Sequence, residues 1–144
     1  LLWNDHIDKL STTQSSKIAL LSRIKKYLPT KTCNLCYDSY ILPTMDYCSN
    51  VWGNCAKSEL DRIYKLQKQA ACIIFDASID HPSKALFTEL KWFTIYDRIH
   101  FYKAVLLYKC VHGTAPEYLQ DLFSPFSTQY QLRSISHGNL IAPK

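Results

Sequence analysis

Lys57–Phe75, KSELDRIYKLQKQAACIIF, and Leu90–Phe123, LKWFTIYDRIHFYKAVLLYKCVHGTAPEYLQDLF, carry most of what this chain says about its fold. In the first stretch Leu60, Ile63, Tyr64, Leu66, Ala70, Ile73 and Ile74 fill one broad face of a 3.6-residue wheel. Arg62, Lys65, Lys68 and Gln69 occupy the opposite side, so the segment predicts an amphipathic helix. In the second, Ile95 to Val111 is apolar almost all round, which predicts a helix at the centre of a bundle. His112-Gly113-Thr114-Ala115-Pro116 then stops it and opens a short helix from Glu117 to Phe123.

Outward from these stretches the pattern stays helical. A first helix is expected from Asn4 or Asp5, either serving as cap, with fraying around Ser11–Ser16. It resumes from Lys17 to Leu28, with Leu20, Leu21, Ile24, Tyr27 and Leu28 on one side. Pro29 ends it and Thr30 can cap a second helix, Lys31 to Leu42, which Pro43 kinks or breaks. A short helix then runs to Gly53, and another covers Ser83 to Leu90 behind Pro82. Only three glycines occur, which argues against a hairpin-rich sheet protein. The expected class is all-α: an irregular bundle of about six helices, with 124–144 as a loosely held tail. The expected division is 1–53, 56–123 and 124–144.

The chain has 144 residues, enough for one domain with a real core. Its net charge is +5, and its placement says more than its size. Lys17, Arg23, Lys25, Lys26 and Lys31 follow one another with no carboxylate between Asp8 and Asp38. With Arg62, Lys65 and Lys68 they form a candidate surface for nucleic-acid phosphates, whose neutralisation releases condensed counterions. The competing reading is a solvated helix face with no partner. Both ends look cut from something longer. No run approaches the ~18 apolar residues that cross a bilayer, and no signal peptide is visible.

Chemistry-bearing constellations are missing from the sequence. A polymerase centre needs carboxylates converging on two metal ions, yet no Asp-Asp pair occurs. Glu59 and Asp61 point apart on a helix, and Asp5, Asp8, Asp76 and Asp80 read as helix-start and loop carboxylates. There is no Gly-x-Ser-x-Gly elbow, phosphate-cradling Gly-x-x-x-x-Gly-Lys loop or His-Glu-x-x-His. Among six cysteines, Cys33-x-x-Cys36 is the only close pair, and His81, His100, His112 and His137 are scattered. Reduced thiols fit better than zinc or disulfides. No catalytic or metal-binding residue is expected, and no small-molecule substrate.

A set of ordered motifs adds to this reading. Leu1-x-Trp3-x-x-His6-Ile7 and Tyr27-Leu28-Pro29 come first, then Asp46-Tyr47-Cys48-Ser49-Asn50-Val51-Trp52-Gly53. Leu66-Gln67-Lys68-Gln69-Ala70-Ala71-x-Ile73-Ile74, Leu90-Lys91-Trp92-x-x-Ile95, Tyr108-Lys109-x-x-His112-Gly113 and Ala115-Pro116-x-Tyr118-Leu119 follow, with Leu132-Arg133-Ser134 near the end. Together they resemble the region downstream of the catalytic palm in reverse transcriptases of non-LTR (LINE-type) retrotransposons, of the jockey, CR1 and L2 kinds. Gln69 and Cys72 stand where basic residues are usual in that family. The resemblance implies RNA-directed DNA polymerase ancestry, with residues 1–53 matching thumb helices. It implies an RNA–DNA or DNA duplex and the parent's palm domain as partners, and a nuclear or cytoplasmic setting. Mg2+ would belong only to the palm. The alternative is a helical scaffolding module, with Trp3, Trp52 and Trp92 supplying its contact surface.

Overall fold

The computed structural model of the protein describes residues 3–125 and 140–141. Its helices are α1 (Asn4–Lys25), α2 (Thr30–Cys36), α3 (Leu42–Asp46), α4 (Ser49–Trp52), α5 (Lys57–Phe75), α6 (Ser83–Leu90), α7 (Ile95–Val111) and α8 (Glu117–Gln120). A π turn, Tyr37–Ile41, joins α2 to α3. Two-residue strands, β1 (Ser124–Pro125) and β2 (Leu140–Ile141), pair antiparallel with Ser124 opposite Ile141. The class is all-α, as expected. The remainder of the 124–144 segment, with Arg133 and His137, lies outside the described residues, as does Leu1.

The chain forms two compact units, one reaching Phe101 and one from Tyr102 onward. The first holds all of 1–53 together with 56–101. Its framework is the pair α1 and α5, which run parallel: Asp8 meets Arg62 at one end (2.8 Å) and Lys25 meets Asp76 at the other (2.7 Å). Ile7, Leu10, Gln14, Ile18 and Leu21 form the buried stripe of α1. That stripe runs straight through 11–16, so α1 does not fray there. Thr12 and Ser16 hydroxyls donate to the carbonyls of Asp8 and Thr12, which removes their competition with the backbone. Burial of roughly 1.5–3 kcal/mol per large apolar side chain outweighs a few tenths of weak propensity. The α1 face expected from Leu20 and Tyr27 is corrected, since Leu20 is exposed and Tyr27 is 75 % exposed. The cap position belongs to Trp3, with no side-chain cap bond, and Pro29 takes the corresponding place before α2.

Pro43 does not break the second helix. The π turn just before it places the Leu42 N–H on the Tyr37 carbonyl, five residues back. Pro43 then sits in the first turn of α3, where a missing N–H costs nothing. Side chains of α1 brace the turn: the Gln14 amide donates to Ile41 O (3.3 Å) and Lys17 Nζ to Tyr40 O (2.7 Å). The true break falls at Cys48, which has φ 52°.

Several residues of the resembling motifs within this unit turn out to be core machinery. Trp52 is 1 % exposed and its Nε1 donates to Tyr47 O (2.8 Å). His6 lies between Trp3 and Trp52, with ring centroids about 6 Å from each. Gly53 closes α4 at φ −67°, so it is not needed for a left-handed cap. It is needed for space, because a Cβ there would lie 2.4 Å from Ser49 O and 2.7 Å from Ile99 Cγ2. Gln67 is buried and bridges α5 to the start of α7, its Nε2 donating to Phe93 O (2.9 Å) and its Oε1 accepting from Ile95 N (3.0 Å). Trp92 stacks on Tyr37 at 3.6 Å and donates to Asn34 Oδ1. The tryptophans therefore serve the interior, Trp52 fully and Trp3 and Trp92 partly. They do not form the outward contact surface expected of a scaffolding module.

Helix α7 also departs from expectation. Ile95 and Ile99 are buried, but Phe101 (62 %), Leu107, Tyr108 (61 %) and Val111 are exposed. The central helix of the first unit is α5.

Candidate nucleic-acid interface

Helices α1 and α5 leave a groove of about 500 Å³ along one edge of their contact. Ser11 and Ser15, four residues apart, form the α1 wall, and Arg62, Lys65, Lys68 and Gln69 form the α5 wall. The spacing explains the arrangement. On α5 these residues lie away from the Ile63–Gln67–Ala70–Ile74 face that enters the core. On α1 the serines flank the buried stripe. The Ser11 hydroxyl is itself buried, so the groove presents the α5 cations and the Ser15 hydroxyl, the chemistry that phosphate oxygens take.

The eight basic residues divide into two sets. Lys17, Lys25 and Arg62 have internal partners. Lys17 Nζ donates to Tyr40 O and Thr44 Oγ1 and lies 4.4 Å from the Tyr40 ring centroid, and its desolvation lowers its pKa. Lys25 is ion-paired to Asp76. Arg62 is shared by Asp8 and Glu59 (2.7 Å), but the guanidinium is exposed, where water and salt screen such pairs, so a phosphate can compete for it.

Arg23, Lys26, Lys31 and Lys65 are exposed and Lys68 is half-buried; among the described residues none of the five pairs with a carboxylate. Arg23 lies in the last turn of α1, where the helix dipole alone accounts for a cation. Lys31 lies in the first turn of α2, where the same dipole disfavours one by about 0.3–1 kcal/mol. Lys31 is thus not explained by local helix electrostatics. Lys26 rests 4.7 Å from the Tyr27 ring centroid. Lys65 and Lys68 share the groove, whereas Arg23, Lys26 and Lys31 flank the α1–α2 turn.

Two carboxylates near the start of α7 hold structure together. Asp61 accepts the Tyr96 hydroxyl, and Asp46 takes Arg98 in a two-pronged pair, Nε to Oδ1 at 2.7 Å. Burial raises the Asp38 pKa, and the Arg98 charge opposes that rise. Among the described residues no three His, Cys, Asp or Glu side chains gather where a metal ion could sit, and all six cysteines are free thiols. Burial raises the Cys33 pKa, so it is poorly suited as a nucleophile. No helix among the described residues is long and apolar enough to cross a membrane. The groove serines and Gln69 were not singled out as sites from sequence; the i, i+4 spacing of Ser11 and Ser15 beside an apolar stripe is the signal that marks them. Comparison with protein-family models, curated proteins and solved structures gives no match.

Proposed function

We propose that this chain is a non-catalytic segment of a non-LTR retrotransposon reverse transcriptase that supports the primer–template duplex through phosphate contacts. The observation that carries the reading is the α1–α5 groove, where Arg62, Lys65 and Lys68 line one wall opposite the exposed Ser15. The ordered motifs support the ancestry, and the core positions of Trp52, Gly53, Gln67 and Trp92 account physically for why such motifs would define one helical fold. Contacts of this kind read duplex shape and charge more than base sequence.

The exposed apolar face of α7 favours an additional protein contact. Ala104, Tyr108 and Val111 share one side of the helix and are exposed. In the same reading the palm of the parent polymerase covers them; the alternative is a scaffolding module that uses this face alone.

Affinity for an RNA–DNA hybrid, measured against salt, tests the reading. Each phosphate contact is expected to contribute about −0.9 to the log–log slope, taking the B-DNA value. Lys65→Glu with Lys68→Glu flattens the slope by about two such increments. Lys25→Glu is a poor probe because it also breaks the pair with Asp76. Hybrid binding indifferent to salt and to these changes would falsify the duplex role and leave the scaffolding reading.

A further inference from the structure

A second cleft, separate from the α1–α5 groove, opens where α5, α6 and the 91–94 turn meet. We infer that it binds a single-stranded nucleic acid, with a base stacking on Phe93 and neighbouring phosphates held by Lys84 and Lys91.

The cleft measures about 390 Å³, inside the range of roughly 300–1,000 Å³ typical of small-ligand sites. Its floor is aromatic. Tyr64 meets Phe87 edge-on at 5.7 Å, and Phe87 lies 6.0 Å from Trp92. Phe93 is different from these. It stands 67 % exposed at the mouth, a large apolar ring kept in water and not used by the core. Stacking on such a ring is available to every base.

The rim is cationic. Lys84 and Lys91 are exposed, no carboxylate lines the cleft, and neither lysine pairs with one among the described residues. Glu89 of α6 is rotated well over 90° from Lys84 on the helical wheel. Asp97 is nearby but engaged: it takes the Thr94 hydroxyl (2.6 Å) while its own N–H reaches Thr94 Oγ1 (3.2 Å), a reciprocal cap on α7. Lys91 adds a backbone argument. It caps α6 at φ 59°, with Trp92 N–H returning to Phe87 O, a position that glycine fills at less cost. A lysine is kept where the backbone asks for glycine. Alternating cations and an open aromatic ring suit a flexible strand, whose bases are free to leave the stack; a closed duplex keeps its bases paired.

The test titrates the whole chain with a labelled oligothymidine, with hybrid duplex binding read in parallel. Phe93→Ala should weaken oligothymidine binding about tenfold, in line with one lost base–aromatic stack. Lys84→Gln with Lys91→Gly should flatten the salt slope by about 1.4, at roughly 0.7 per phosphate on a single strand. Lys91→Gly relieves the left-handed cap, so a loss of binding there does not reflect unfolding. Hybrid affinity should be unchanged in both variants. Oligothymidine binding unmoved by these substitutions, or equal losses for strand and hybrid, overturns the inference. A wild-type chain that takes the hybrid but ignores oligothymidine also overturns it and leaves the duplex role intact. Oligothymidine binding that responds as expected, without hybrid binding, sustains this cleft and removes the duplex role.

Discussion

Helices α5 and α7 are of similar length and meet opposite fates. Helix α5 mixes charged and apolar residues evenly, yet Ile63, Gln67, Ala70, Ala71 and Ile74 are all buried. Helix α7 is the more apolar of the two, and Phe101, Leu107, Tyr108 and Val111 remain in solvent. Hydrophobicity sets the gain available from burial; neighbouring elements decide whether it is realised. Helix α5 has α1, α2 and α6 against it in the first unit. An exposed apolar stripe, as at Tyr108 and Val111, marks a place where something else can bind.

The largest effect should come from the interior of α5. Ile63→Ala is expected to cost about 2–5 kcal/mol, while Tyr108→Ser on α7 stays within about 0.5 kcal/mol. Denaturant midpoints with unchanged slopes measure both, and equal losses would break the contrast between the helices. Next comes the link between them. Gln67→Leu leaves the Phe93 carbonyl and the Ile95 amide without their side-chain partner, at about 1–3 kcal/mol. A neutral outcome would mean that the start of α7 finds other partners.

The smallest effect is in the alkaline range. Tyr96 on α7 donates to Asp61 on α5, and burial with that carboxylate pushes its hydroxyl up to about 12. Unfolded tyrosine titrates near ~10. The native state holds this proton more tightly, so the contribution is full below about pH 10 and is lost as pH rises towards about 12. The stability gap between the wild-type chain and Tyr96→Phe should be constant from neutral pH upward and narrow across that interval. A gap that does not change with pH would show that the contact does not couple to the proton.

Much of this architecture is legible in local pattern. The boundaries of α5, α6 and α7 follow from periodicity with Pro82, Gly113 and Pro116 as punctuation. What escapes is tertiary. Ser11 to Ser16 look like weak helix formers, and only the α5 surface against Ile7, Leu10 and Ile18 makes them helical. Pro43 reads as a break because the π turn that absorbs it depends on Gln14 and Lys17, more than twenty residues away in sequence. For the same reason Lys17 reads as a free surface cation. Gln67 falls on the apolar face of the α5 wheel, and only the returning 93–95 backbone supplies the partners that a buried amide needs. The basic groove was half visible: its lysines follow from charge and the Ser11–Ser15 spacing from the edge of the α1 stripe, but only the pairing of α1 with α5 brings the two walls together.

That parallel pairing bears on how the protein is made. Lys25 reaches Asp76 across 51 residues, so the part of the α1 face that packs on α5 has no lasting cover until α5 has left the ribosome. At about 5–20 residues per second the wait is roughly 3–10 s, during which the growing chain carries an oily, uncovered helix. Within this stretch α1 is made well before the surface that seals it, so its apolar stripe spends that interval open to water.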